Sequence, residues 1–185
     1  AIAFLYRYLD DSVSVTRDDY DTRAAILYAL AEAGQGDLGR STALFEDRDN
    51  LSLFSKGYLA MTLHLLEPDE DSRAQTLANE FVQAGILSST GLHWEEDTRS
   101  TWQMNTDTRT SAIVLRALTW IDPENSLLPQ AVRWLTMARS SGAVASTVSG
   151  ASRSSALKAG SRLWTAMSGR VPPPKAQKLR HVHGA

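Results

Sequence analysis

The 185-residue chain contains no cysteine. That absence excludes a disulfide scaffold, a thiol nucleophile, a Cys-ligated zinc site and an iron–sulfur cluster. Long apolar runs are also missing, because stretches such as Ala24–Ala31 fall far short of the ~20 apolar residues of a membrane-spanning helix. We therefore expect no direct membrane insertion by this segment. The opening residues lack a Met and a basic leader, which predicts an entry point within a longer protein rather than a signal peptide.

Acidic residues are missing from the C-terminal part of the chain. All 21 Asp and Glu residues precede Asn125, so the net charge of −2 hides an acidic first part and a basic end. Residues 140–185 are rich in Ser, Ala and Gly, a composition typical of a linker rather than a core. This basic end also lacks the regular aromatic spacing of a base-stacking surface, so we predict no nucleic-acid partner.

Alternating strand-like patterns are absent too, and residues 1–139 have the composition of helices. The apolar spacing and the positions of Gly and Pro predict seven helices. Their expected ranges are Ala1–Leu9, Asp19–Ala33, Leu38–Phe45, Leu51–Leu66, Ser72–Ile86, Thr106–Ile121 and Ser126–Arg139. Residues 88–105 are predicted to form one long irregular segment.

Three helical segments have almost no polar face: Ala24–Ala31, Gly57–Leu63 and Ala112–Leu118. A helix of this kind must be buried on all sides. The neighbouring helices are amphipathic, and the last one carries a single apolar stripe of Leu128, Ala131, Val132 and Leu135. Alternation of buried and amphipathic helices predicts an all-α fold of stacked helical hairpins, arranged as a partial α/α toroid.

Residue types that carry chemistry do not form a recognisable catalytic pattern. The chain has no Gly-x-Ser-x-Gly motif, and its histidines are not spaced like members of a catalytic triad. We expect His64 to be a hydrogen-bonded core histidine. His93 lies in the irregular segment, and His181 and His183 belong to the basic end, where transient metal binding is the less favoured interpretation. We predict no catalytic, cofactor-binding or metal-binding residue.

Two acidic clusters and one glycine motif have structural interpretations. Asp18–Asp21 and Asp69–Asp71 lack the spacing of the Asp-rich motifs that bind magnesium diphosphates, and both lie where a helix N-terminus attracts acids. Gly34–Gly39 has the glycine offsets of a dinucleotide-binding loop, but no strand precedes it. We therefore predict helix N-termini at the acidic clusters and a helix–helix turn at the glycines.

The irregular segment contains two tryptophans, Trp94 and Trp102. Large aromatic side chains in a polar loop usually fold back onto the body of the protein and become buried. Packing is thus the favoured interpretation, and a recognition surface is the alternative.

Short stretches of sequence follow one another in a characteristic order between residues 24 and 139. They are Leu27–Gly34, Leu44–Glu46 with Asn50–Leu53, Tyr58–Met61 with Leu65–Leu66, His93–Glu95 with Met104–Ala112, and Leu128–Pro129 with Val132–Leu135 and Ala138–Arg139. In this order they resemble the second half of the thioester domain of bacterial α2-macroglobulins. The resemblance implies an α/α toroid and ends near residue 140.

The resemblance implies a fragment of a broad-spectrum endopeptidase inhibitor that traps proteases. The thioester of that family lies in an upstream Cys-Gly-Glu-Gln motif, so no catalytic role transfers to this cysteine-free chain. The implied role is structural and not enzymatic, and the implied partners are the rest of the α2-macroglobulin-like chain and, through the intact protein, its target proteases. A periplasmic, cell-surface or extracellular location is implied as well. We expect residues 1–139 to form the partial toroid and residues 140–185 to be a tail of unrelated or frame-shifted sequence.

Two alternatives remain from the sequence. One is an α/α-toroid enzyme of the terpenoid cyclase or prenyltransferase type, which requires an Asp cluster or a bound metal. The other is a helical protein-binding scaffold that uses residues 88–105.

Overall fold

The computed structural model describes residues 1–11, 16–67, 72–97 and 106–148, with side chains described as far as residue 139. These ranges contain seven α-helices, a short 3-10 turn and a two-stranded sheet. The helices are α1 (Ile2–Asp11), α2 (Arg17–Glu32), α3 (Leu38–Glu46), α4 (Leu53–Leu66), α5 (Ser72–Ala84), α6 (Asp107–Ile121) and α7 (Leu128–Val148). The predicted all-α class is thereby confirmed.

Residues 1–142 form one compact unit, which contains every described element up to most of α7. The second unit, residues 143–185, lies outside the described residues apart from the last turns of α7. The expected division between residues 139 and 140 stays a prediction.

Polar side chains at the helix starts explain where several helices begin. Thr16 and Asp19 form a capping box at the start of α2, in which each side chain binds the other residue's backbone N–H. Asp37 and Thr106 cap α3 and α6 by accepting a bond from the backbone N–H three residues later. The Asp19 part of the first acidic cluster is therefore a helix N-terminus, as predicted.

Helix α4 lies at the centre of the compact unit. It packs against α2 on one side and α6 on the other, and it also contacts α3 and α5. Its middle turns are buried all round, with Leu59, Met61 and Leu63 almost fully excluded from solvent. The prediction of an all-round buried helix is thus confirmed for α4.

The same prediction was wrong for α2 and α6. Ala29 on α2 and Ala112 and Arg116 on α6 are exposed, although the opposite faces of both helices are buried. The reason is their position: α4 has helices on several sides, whereas α2 and α6 flank it and keep one face toward water. Alanine is compatible with either environment, so composition did not reveal the exposed face.

A small antiparallel hairpin overlaps the start of the predicted irregular segment. Strand β1 (Ile86–Ser88) pairs with β2 (Gly91–His93), so Leu87 faces Leu92 across the pair. Ile86 was expected to end the fifth helix, but that helix stops at Ala84 and Gly85 leads into β1. These strands are too short to produce a recognisable alternation, which is why the sequence pattern missed them.

Helix α7 is longer than predicted, and only a narrow side of it is buried. It continues to Val148, past the expected end at Arg139. Ala131 is fully buried, but Val132 is 51% exposed and does not belong to the buried stripe, contrary to expectation. The buried side of α7 faces the hairpin, where the rings of His93 and Trp134 stack with centroids 4.7 Å apart.

Candidate functional site

Two carboxylates from distant parts of the chain converge on the N-terminus of α4. Asp21, in the second turn of α2, accepts bonds from the backbone N–H and the hydroxyl of Ser52 at 2.8 and 2.6 Å. Because the Ser52 hydroxyl is directed to Asp21, it makes no capping bond within α4. The sequence suggested that Asp21 is an acid at the N-terminus of its own helix. It is instead buried and binds Ser52 at the N-terminus of α4.

Glu96 replaces the missing cap. Its two carboxylate oxygens accept bonds from the backbone N–H groups of Leu53 and Phe54 at 3.0 and 2.9 Å. The hydroxyl of Thr110 on α6 donates a third bond at 2.8 Å. A carboxylate at a helix N-terminus binds unsatisfied N–H groups and interacts favourably with the helix dipole. Glu96 thus joins the loop after β2 to both α4 and α6.

Burial raises the pKa of Asp21 above its ordinary value of 3.8. Hydrogen bonds from Ser52 act in the opposite direction, and the nearby charge of Glu96 adds to the upward shift. Asp21 is 2% exposed, so the charged form loses most of its hydration in the fold. Ionisation of Asp21 therefore makes an unfavourable contribution to the free energy of the folded state.

Stability is expected to respond to the pH at Asp21. Since the folded-state pKa is raised, the folded protein binds the Asp21 proton more tightly than the unfolded chain does, and this contribution to stability is lost as pH rises through the folded-state value. In Asp21→Asn the contribution is absent, so the variant's free energy of unfolding should improve relative to the parent as the pH rises above the ordinary pKa of Asp. Urea unfolding at several pH values measures this difference, with Asp49→Asn as an exposed control. Parallel pH curves for Asp21→Asn and the parent would contradict the assignment.

A cavity of about 430 Å³ lies beside the N-terminus of α4. Its apolar wall is formed by Leu51, Leu53, Ala84 and Ile86. Its charged rim consists of Arg17, Asp49, Lys56, Glu95, Glu96 and Asp97. A concave surface with apolar residues and a few converging charges is one form that a binding site can take.

Both cations at the rim are paired with acids. Arg17 lies 3.7 Å from Asp97, and Lys56 lies 2.7 Å from Glu80, which also binds Arg48 at 2.9 Å. Burial alone would raise the pKa of Glu80, but the hydrogen bonds from Lys56 and Arg48 outweigh it and hold the pKa below its ordinary value. The acids of the rim are consequently in excess of the cations that face them.

Trp94 fixes the loop that carries Glu95 and Glu96. The Trp94 side chain is fully buried, and its indole N–H donates to the carbonyl of Phe81 on α5 at 2.8 Å. The backbone N–H of Trp94 donates to the Ser111 hydroxyl on α6 at 2.9 Å. Packing was the favoured interpretation of Trp94, and its burial confirms that interpretation, whereas Trp102 lies outside the described residues.

His93 lies between the acidic rim and α7. Its Nε2 is 3.0 Å from a carboxylate oxygen of Glu95, and its ring stacks on Trp134 with an interplanar angle of 4°. His93 is nine-tenths buried, while the Glu95 side chain is about half exposed. This contact connects the orientation of Glu95 to the position of α7.

A second polar cluster joins α2 to α6 away from the cavity. The Tyr28 hydroxyl donates to Glu32, and Arg116 binds Glu32 at 3.2 Å. Burial is the largest cause of a raised pKa at Tyr28, and the bond to Glu32 adds to it. Arg116 also lies over the ring of Trp120, whose centroid is 6.4 Å from that of the His64 ring. This cluster is a contact between helices.

The remaining residues singled out by sequence have clear positions or lie outside the described ranges. His64 is half-buried on α4 rather than in the deep core. Gly34 adopts a φ of +69° where α2 ends, and Asp37 caps α3, so the predicted helix–helix turn is confirmed. Asp69–Asp71, His181 and His183 lie outside the described residues. Asp21 and Glu96 were missed as a pair, since only the fold brings positions so far apart together.

No family model, curated protein or solved structure matches this chain. Within the described ranges, no group of three or more His, Asp or Glu residues is arranged to hold a metal ion. The described helices also include none whose length and apolar character would let it cross a bilayer.

Proposed function

We propose that this chain is a structural part of an α2-macroglobulin-like protease-trapping protein, namely the C-terminal half of its thioester domain. In this role the chain performs no covalent chemistry. It forms part of the wall that shields an upstream thioester until a protease cleaves the intact protein. The proposal begins from the sequence resemblance between residues 24 and 139.

The packing order of the helices supports an α/α toroid. Helices α2, α4 and α6 lie side by side with α4 in the middle, while α3 and α5 each contact α4 and one of its two neighbours. Alternating inner and outer helices are what stacked helical hairpins produce. Closure of the hairpins into a ring is part of the proposal.

The observation that carries the proposal is the position of His93–Glu95, one of the stretches of the resemblance. Trp94 is fully buried and hydrogen-bonded to both α5 and α6. His93 contacts Trp134 in α7, another stretch of the resemblance. Stretches of the resemblance thus contact one another in the fold, which supports the proposal.

Mass spectrometry of the full natural polypeptide, with and without methylamine, tests the proposal. Methylamine attacks a thioester carbonyl, forms an amide at the glutamine-derived side chain and releases the cysteine thiol. We expect an adduct at a Cys-Gly-Glu-Gln-type glutamine upstream of Ala1, a newly alkylatable thiol, and no adduct within residues 1–185. Absence of both the adduct and the motif would overturn the proposal.

A helical protein-binding scaffold is the second candidate, and the cavity beside α4 is the observation that favours it. From the sequence, this alternative uses residues 88–105, which include Trp94. Because Trp94 is fully buried, a Trp94→Ala variant would test the fold instead of a contact with a partner. A partner surface must therefore be formed by exposed residues around the hairpin. The terpenoid-cyclase alternative has no comparable support, since Asp19 and Asp21 are both engaged at helix N-termini.

A further inference from the structure

In the described part of the chain, one edge of strand β1 has no partner strand. Within the described ranges, the sheet consists of β1 and β2 alone, so β1 has a partner on one side only. Alternate residues of an antiparallel strand direct their backbone groups away from the partner strand. The outer edge of β1 consequently offers backbone donors and acceptors to another extended chain.

The surface around this edge is apolar and accessible. Leu87 is 70% exposed, the largest exposure among the large hydrophobic side chains of the described residues, and Ile86 and Val82 are each about 40% exposed. Ile86 also belongs to the apolar wall of the 430 Å³ cavity. The strand edge and the cavity therefore form one continuous surface.

The charge of the cavity specifies the kind of partner that fits. Its rim has four carboxylates and two cations, and Arg17 and Lys56 are already paired with Asp97 and Glu80. Glu96 is bound by three donors from α4 and α6. Asp49 and Glu95 are the other exposed acids of the rim, and Glu95 also contacts His93 through one carboxylate oxygen.

We infer that β1 and the adjoining cavity form a docking surface for an extended peptide segment that carries a lysine or arginine side chain. The peptide backbone pairs with the outer edge of β1 and extends the sheet to three strands. Its basic side chain enters the cavity, where the aliphatic stem contacts Leu53 and Ile86 and the charged end reaches Asp49 and Glu95. Backbone pairing provides affinity and the side-chain pocket provides specificity in this mode of recognition.

The inference is tested with the peptide fluorescein-Val-Arg-Val-Lys-Val-Thr-amide, labelled at its N-terminus, and the full 185-residue chain. We expect saturable binding by fluorescence anisotropy that weakens as salt increases. Replacement of Arg and Lys by glutamine in the peptide should remove measurable binding. Two further peptides are N-methylated at alternate peptide bonds, one at the odd and one at the even positions. One of the two should lose measurable binding, because its methyl groups block the hydrogen bonds to the edge of β1.

Charge-removing variants locate the site. Asp49→Asn and Glu95→Gln should each weaken binding by about fivefold or more, in the range for partly exposed charged hydrogen bonds. Glu46→Gln on α3 removes an exposed carboxylate that does not line the cavity, and it should leave the dissociation constant unchanged. Circular dichroism confirms that each variant is folded.

Three results would overturn the inference. One is equal binding of the basic and neutral peptides, and another is an equal loss of binding in Glu46→Gln and Asp49→Asn. The third is sedimentation of the chain as a dimer that Leu87→Lys dissociates, without peptide binding, which would assign the edge to a contact between copies. None of these results depends on the methylamine experiment, so this inference and the proposed function can fail separately.

Discussion

Replacement of Trp94 by alanine is expected to lower the free energy of unfolding by about 3–5 kcal/mol, as for other fully buried aromatic side chains. The side chain is fully excluded from solvent, so its removal leaves a large cavity between α5 and α6. The carbonyl of Phe81 also loses the indole donor that now satisfies it. Urea unfolding monitored by circular dichroism measures the change.

Two comparison variants separate volume from hydrogen bonding. Trp94→Phe keeps most of the aromatic volume but removes the indole N–H, so it should cost about 1–3 kcal/mol. Trp120→Ala removes a half-buried tryptophan and should cost less than Trp94→Ala. A Trp94→Ala variant as stable as Trp120→Ala would show that Trp94 is not the joint between α5 and α6.

Gly91→Ala is expected to lower the free energy of unfolding by about 2–5 kcal/mol, through backbone strain and steric overlap together. Gly91 has a backbone φ of +136°, which residues other than glycine rarely adopt. A Cβ at this position would also overlap the backbone carbonyl of Gln130 and lie 2.9 Å from the backbone N of Trp134. Because these atoms belong to the α7 backbone, they cannot move aside as the end of a side chain could.

The damage from Gly91→Ala should be concentrated at α7. Hydrogen exchange followed by mass spectrometry is expected to accelerate in residues 128–139 more than in α4. Gly34→Ala is the matched control, since Gly34 also has a positive φ but has open space around the new Cβ. It should cost only about 1–2 kcal/mol. Equal effects of the two substitutions would indicate that contact with α7 is unimportant at Gly91.

The helices were predictable from local pattern, because capping residues and apolar spacing act over a few positions. Leu38 and Ser72 were correctly predicted as helix starts, and Leu66 and Ile121 as helix ends. The all-round burial of α4 was also predictable from its apolar composition. The exposed faces of α2 and α6 were not, since burial depends on how many helices surround each one.

The charged surroundings of α4 could not be predicted from sequence. Asp21 reads as one of several acids near a helix N-terminus, and Glu96 reads as part of a polar loop. Their role arises from tertiary contacts with Ser52 and Leu53, which are 31 and 43 residues away. The hairpin was missed for a related reason: three-residue strands are defined by their partner more than by their own pattern.

The distant carboxylates at α4 also have a consequence for the order of folding. In the folded chain the first turn of α4 takes its partners from distant residues, since the Ser52 hydroxyl binds Asp21 and the first N–H groups bind Glu96. Closing loops of this length costs entropy before any contact is gained. We therefore expect the first turn of α4 to become fully ordered only when both α2 and the segment after β2 are in place.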